Sequence, residues 1–155
     1  MIKILQYYAL LIIFFLPSCR EEGVIYNEFF KVDSSTWKHQ DNISFNFNIS
    51  DTTIAYDVYL QFRNTKAYNW SNIFLFSDIN YPNLRTRRDT FEFYLTDQKG
   101  HWLGNKSGNI IENEFLLFKS TKSPLIGDYV MSIQQAMRDT VLEECVNIGL
   151  KLKQS

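Results

Sequence analysis

The chain has little of several residue types on which recognisable chemistry depends. Its 155 residues include 2 His, 2 Cys, 6 Gly and 3 Pro. Two His and two Cys are too few for a four-ligand zinc site unless carboxylates are recruited. The 16 Lys and Arg are balanced by 17 Asp and Glu, so no basic excess favours a polyanionic partner. Composition therefore argues against nucleic-acid binding and against a zinc centre.

Aromatic residues, in contrast, are abundant. They make up 16% of the chain, as 13 Phe, 9 Tyr and 3 Trp. Aromatic and β-branched side chains suit a pleated, half-buried surface, so this content favours β structure. The 45% hydrophobic and 21% charged residues are typical of a folded protein, and the length indicates one domain.

The first residues resemble a lipoprotein signal. A positive start precedes an uninterrupted apolar run from Tyr7 to Leu16, too short to span a bilayer as a helix. Leu16-Pro17-Ser18-Cys19 then resembles a bacterial lipobox. We predict a signal peptide over 1–18, lipid attachment at Cys19 and a lipidated tether over 19–23. The alternative is an ordinary secretory signal in which Cys19 is a chance thiol.

Acylation at Cys19 would hold the protein on a lipid membrane, because each buried acyl methylene contributes ~0.8 kcal/mol and two or more chains anchor stably. Arg20-Glu21-Glu22 follows directly and resembles the tag that Bacteroidetes-type bacteria use for surface display. We expect a protein of the cell envelope, anchored in the outer membrane, with either the periplasmic or the surface face possible.

Polar and apolar residues alternate along the remaining chain, which is typical of strands with one face in a core. Turn signals separate eight such segments: Val24–Phe30, Ile43–Ile49, Tyr56–Phe62, Ile73–Ile79, Thr90–Leu95, Ile110–Phe118, Tyr129–Gln135 and Val146–Leu152. They predict an all-β fold over 24–155, either an antiparallel, jelly-roll-like β-sandwich of eight or nine strands or a small barrel. Apolar spacing also predicts a short helical turn near Arg138–Glu144.

Few residues offer catalytic chemistry. His39 and His101 lie in polar, turn-like sequence without a nucleophile motif nearby. The paired glutamates have no hydrolase context, and the aspartates lack calcium-loop spacing. Cys145, between apolar neighbours, is expected to be a buried small hydrophobe. We therefore expect no enzyme, no metal and no cofactor.

Aromatic and polar residues near turns are the better functional lead. Exposed Tyr or Trp rings could stack on sugars or anchor a protein partner, although such residues also pack over the rim of a core. Arg63 points outward in the alternation, so we expect it to pair with a carboxylate on a neighbouring strand. The candidate interaction surface consists of Arg63, Asn64, Tyr68, Trp70, Asn72, Trp102 and Arg138.

The order and spacing of several stretches resemble the gliding-motility-associated lipoprotein family GldH of Bacteroidetes. They are Tyr56-Asp57-Val58-Tyr59-Leu60, Arg63-Asn64-Thr65 with Tyr68, Ser71-Asn72, Phe74-Leu75-Phe76, Asp89-Thr90, Gly100-His101-Trp102-Leu103-Gly104 with Gly108, Gly127-Asp128-Tyr129, Gln135-Ala136-Met137-Arg138 with Leu142, and Ile148-Gly149-Leu150. Ser123-Pro124 departs from the family, which tends to have an aromatic residue before the proline.

The resemblance implies a non-enzymatic lipoprotein that supports gliding and the linked secretion machinery through contacts with other envelope proteins. It supplies no catalytic residue. The second hypothesis is a surface glycan-binding β-sandwich, based on the surroundings of Trp70 and Trp102.

Overall fold

The computed structural model describes residues 21–155, and the predicted signal peptide and Cys19 lie outside this range. Eleven strands lie within it: β1 (Val24–Lys31), β2 (Trp37–Lys38), β3 (Ile43–Ile49), β4 (Ala55–Thr65), β5 (Asn72–Asn80), β6 (Thr86–Tyr94), β7 (Asn105–Ser107), β8 (Ile110–Lys122), β9 (Gly127–Gln135), β10 (Val141–Leu142) and β11 (Cys145–Gln154). All eight predicted segments are strands, and β3 has the predicted bounds.

The strands form two main antiparallel sheets. One has five strands in the order β1-β11-β4-β8-β7, and the other has four in the order β3-β9-β5-β6. β2 and β10 form a separate two-stranded ribbon. The predicted all-β sandwich is confirmed.

The hydrophobic core lies between the two main sheets. Alternate residues of β4 and β11 point inward from the five-stranded sheet, as Leu60 and Ile148 do, and Met131 of β9 faces them from the other sheet. Aromatic pairs close both sides. The rings of Tyr26 and Phe47 lie 5.7 Å apart between β1 and β3, and those of Phe93 and Phe115 lie 4.3 Å apart between β6 and β8.

The strand register defines two opposite ends of the sandwich. At one end, Gly23 accepts a hydrogen bond from the amide of Gln154 (2.9 Å), and Ala55 of β4 pairs with Lys122 of β8. This end, called here the amino-terminal end, carries the connections 50–54, 81–85 and 123–126. The opposite, distal end carries the connections 66–71, 95–104 and 136–144.

The helical turn predicted near Arg138–Glu144 is wrong. Residues 137–140 form a bend, and Val141 and Leu142 pair with Lys38 and Trp37 in the small ribbon. Leu142 is buried by this strand pairing, so its apolar character does not reflect a helix. Among the described residues the helical element is a 3-10 turn at Asp33–Ser35, and no helix there is long and apolar enough to cross a membrane.

Candidate functional site

The predicted interaction residues lie towards the distal end of the sandwich. Arg63 and Asn64 are near the end of β4, Asn72 begins β5, and the other four occupy the connecting segments at that end. Strand order thus brings together residues that span 63 to 138 in sequence.

Burial separates these residues into two groups. Trp70 has 42% of its surface exposed, and Arg138 is also exposed. Asn64 (0%) and Tyr68 (5%) are buried, so they are not part of the surface that the sequence assigned to them. Trp102 is partly buried and packs against the core.

Asn64 and Tyr68 stabilise the interior instead. The side-chain amide of Asn113 donates to Oδ1 of Asn64 and to the carbonyl of Phe62, both at 3.0 Å. The Tyr68 ring packs edge-on against Phe62, and burial raises the pKa of its hydroxyl. Asn64 lies two residues after Phe62, so in a strand it points to the same inner face. This spacing was the feature of the sequence that indicated its burial.

Arg63 forms the predicted cross-strand ion pair. Its Nε lies 3.1 Å from Oε1 of Glu112 on β8, and its guanidinium lies 4.2 Å from the ring centroid of Phe29 on β1. Asn72 is held similarly, because its amide donates to Glu92 (2.8 Å). Both side chains therefore connect neighbouring strands as well as contributing to the surface.

Sequence reasoning missed two further exposed apolar side chains at the distal end. Tyr94 is 63% exposed and Leu103 is 61% exposed. Trp70, Tyr94 and Leu103 are called here the distal apolar patch. The turn signals at Gly100 and Gly104, which flank Leu103, could have indicated that this side chain projects from the surface.

Backbone hydrogen bonds hold the segments of the distal apolar patch together. The carbonyl of Ser71, next to Trp70, accepts from the amides of Leu95 (2.7 Å) and Thr96 (3.2 Å). The amide of Leu103 donates to the carbonyl of Leu95 at 2.8 Å. The backbone of Trp70, Tyr94 and Leu103 thus lies in or next to one hydrogen-bonded junction.

A lysine on the outer face of the five-stranded sheet is buried by charged neighbours. The side chain of Lys151 is 7% exposed, and its Nζ lies 2.9 Å from Glu114 and 3.4 Å from Glu21. Burial opposes the charged form, but the hydrogen bonds that Lys151 donates to Glu114 and Glu21, together with the charges of these carboxylates, outweigh it and raise the pKa of Lys151. Alternation predicted the face correctly but not this burial.

The two histidines lie in exposed segments. The His101 side chain is 71% exposed, and its Nδ1 lies 3.0 Å from Asp97. The backbone amide and ring of His101 lower the pKa of Asp97. Within residues 21–155 no group of three or more His, Cys, Asp or Glu could hold a metal ion.

The fold is an all-β sandwich domain with exposed apolar side chains at its distal end. The family model for the GldH lipoprotein matches residues 24–152, and the chain belongs to this family.

Two curated relatives cover nearly the whole chain. A gliding motility lipoprotein GldH homolog of Christiangramia forsetii is 30% identical over 150 residues, covering 92% of this chain and 91% of that protein. The gliding motility lipoprotein GldH of Flavobacterium johnsoniae is 27% identical over 146 residues, covering 90% and 89%.

The solved structures are more distant. A periplasmic inhibitor of g-type lysozyme, PliG of Aeromonas hydrophila, is 11% identical with a TM-score of 0.35, covering 88% of this chain and 91% of that chain.

Proposed function

We propose that the protein is a non-enzymatic, lipid-anchored component of the cell envelope that supports gliding motility and the linked secretion machinery through protein–protein contacts. The support comes from the relatives, which are named gliding motility lipoproteins, and from the surface. The distal apolar patch is the contact surface in this proposal.

The exposure of the patch is the observation that carries the proposal. Trp70, Tyr94 and Leu103 each leave 42% or more of their surface in water. Trp and Tyr contribute most to binding free energy at protein interfaces, so exposed side chains of these types are candidate anchors for a partner. Their location at the distal end leaves them accessible while the other end carries the tether.

Photo-cross-linking in intact cells tests the contact. We would incorporate p-benzoylphenylalanine at Trp70, Tyr94 or Leu103, with Asn46 as the control because it is exposed on β3. We expect the patch positions to form adducts with a protein of the gliding or secretion apparatus. The same adducts at Asn46, or no protein adduct at the patch, would contradict the proposal.

The anchor is tested separately. We propose acylation at Cys19 and retention in the outer membrane. Cys19→Ser should leave the precursor uncleaved and without acyl chains, as read by mass spectrometry of the N-terminal peptide. An acylated N-terminus in this variant would overturn the proposed attachment site.

The glycan-binding alternative is weaker because Trp102 packs against the core and only Trp70 of that pair exposes a large part of its surface. Titration of the intact protein with soluble oligosaccharides distinguishes the protein-contact hypothesis from the glycan-binding hypothesis. Saturable binding that Trp70→Ala abolishes would favour the glycan and count against the protein-contact proposal.

A further inference from the structure

Two adjacent loops at the amino-terminal end carry the most exposed apolar side chains among residues 21–155. Leu84, between β5 and β6, is 93% exposed, and Ile126, between β8 and β9, is 64% exposed. The loops lie side by side. Pro82 belongs to the first loop and Gly127 directly follows the second, and a Cβ atom at Gly127 would be 3.1 Å from the ring of Pro82. Tyr81, Arg85, Pro124 and Leu125 line a shared depression between them.

The backbone holds Leu84 in a conformation that Leu rarely adopts. The amide of Leu84 donates to the carbonyl of Tyr81 (3.0 Å), and the amide of Tyr81 donates to the carbonyl of Arg85 (2.8 Å). In this three-residue hairpin loop Leu84 has φ 62°. The position favours Gly or Asn, which tolerate a left-handed backbone. The turn therefore presents a large apolar side chain where local chemistry favours a small or polar one.

Cations border these loops. Arg85 follows Leu84, and Lys122 ends β8 just before the second loop; both are exposed. Within residues 21–155 neither has a carboxylate oxygen within the 4.0 Å of an ion pair. Apolar side chains beside unpaired cations match the chemistry of a bilayer surface, where acyl chains underlie phosphate headgroups.

The described chain begins at the same end. The carbonyl of Gly23 accepts from the amide of Gln154, and Gln154 pairs with Tyr56, one residue from the Ala55–Lys122 pair at the end of the sheet. Cys19 precedes Gly23 by four residues, which span at most about 14 Å. Glu21 is fixed further by Lys153, 2.8 Å away. With Cys19 acylated, so short a connection keeps this end of the sandwich close to the membrane.

We infer that the amino-terminal end rests on the lipid surface, with Leu84 and Ile126 in the interfacial layer and Arg85 and Lys122 at the phosphates. The inference goes beyond the proposed function and rests on it only for acylation of Cys19.

Fluorescence quenching by brominated lipid tests the orientation. The native residues Trp37, Trp70 and Trp102 all lie towards the distal end, so they form an internal reference. Mature acylated protein would be placed in phosphatidylethanolamine–phosphatidylglycerol vesicles with or without brominated acyl chains. We expect Leu84→Trp and Ile126→Trp each to add blue-shifted emission that brominated lipid quenches. The matched control, Leu103→Trp, and the unsubstituted protein should not be quenched.

Flotation with the vesicles separates the two possible failures. Protein that does not float lacks the anchor, which contradicts the acylation on which the proposed function depends. Protein that floats but shows unquenched emission from Leu84→Trp and Ile126→Trp has its loops in water, which overturns the inferred orientation. Quenching of the control Leu103→Trp would also overturn it, because the distal end would then touch lipid.

Discussion

The ring of Phe29 lies across the backbone of Gly149. A Cβ atom at position 149 would be 2.7 Å from two ring carbons of Phe29 and 2.9 Å from Oε1 of Gln61. A glycine inside a strand normally weakens it, and close approach of another group is one reason for its presence. Here the missing side chain lets an aromatic ring on the edge strand cover the sheet.

Gly149→Ala should lower the free energy of unfolding by about 1–3 kcal/mol, the usual cost of overpacking. We expect the lower part of this range because Phe29 lies on the edge strand and is 39% exposed, so its ring can move. Denaturant unfolding of the substituted and parent proteins measures the change. In a Phe29→Ala background the cost should fall; an equal cost in both backgrounds would mean that the ring is not responsible.

Gly104→Ala should destabilise the protein more than Gly149→Ala. The added Cβ would be 2.5 Å from Oδ1 of Asn113 and 2.6 Å from the carbonyl oxygen of Glu112. Asn113 is held by its own hydrogen bonds and the carbonyl belongs to β8, so neither can move freely. We expect a loss at the upper end of the ~1–3 kcal/mol range for overpacking.

Gly100→Ala is a comparison variant in the same connecting segment. Gly100 has φ 82° and no heavy atom within 4 Å of an added Cβ, so its substitution tests backbone conformation without a clash. Thermal unfolding of the two variants gives the comparison. Equal stability of Gly104→Ala and the parent protein would contradict the close packing of this loop on β8.

The Cys145 thiol should be unreactive in the folded protein. It is fully buried, and burial, with a smaller contribution from the charge of Glu144, raises its pKa to about 12. Because the thiolate is the reactive form, 5,5′-dithiobis(2-nitrobenzoate) at pH 8 should react only as denaturant unfolds the chain. With Cys19 acylated, the signal reports Cys145 alone, and Cys145→Ala is the blank. Rapid reaction without denaturant would show that the site opens in the native state.

The stabilisation of the fold by Glu21 should depend on pH. Hydrogen bonds from Lys153 and then Lys151 lower the pKa of Glu21 below its ordinary value of 4.5. A carboxylate whose pKa is lowered in the folded state stabilises the fold fully at pH values above its unfolded-state pKa. This stabilisation is lost as the pH falls through the folded-state pKa. Glu21→Gln should therefore destabilise the protein at pH 7, and the difference from the parent should vanish in acid.

Glu22→Gln serves as the control for Glu21, since Glu22 is exposed and forms none of the ion pairs found among residues 21–155. Urea unfolding at several pH values gives both curves. A difference between Glu21→Gln and the parent that stays constant down to acid pH would show that the carboxylate charge is not the cause.

Alternation was sufficient to predict the long strands because each buries one face in a common core. Residues 43–49 illustrate this, since every second side chain is apolar and the strand has the predicted bounds. The two-residue strands β2 and β10 were missed because two residues contain no period. The spacing of Ile133, Ala136, Met137, Val141 and Cys145 predicted a helical turn. These residues instead belong to three different strands and to the segment between them.

The candidate site was predictable only in part. Trp70 is exposed as expected, but Tyr68, two residues earlier, is buried against Phe62. Tyr94 and Leu103 join Trp70 only through the hydrogen bonds of the connecting segments at the distal end. Which aromatic side chain packs inward and which stays in water depends on residues distant in sequence, and no local pattern contains that information.

The sequence alone determined the class of fold, the lipid attachment motif and the family resemblance, because alternation, a short apolar run before a cysteine and ordered motifs are local properties. The tertiary structure decided which side chains meet. The approach of Phe29 to Gly149, the burial of Lys151 and the distal apolar patch all depend on strand order and register. These are set by the packing of the whole core, in which segments far apart in the chain become neighbours.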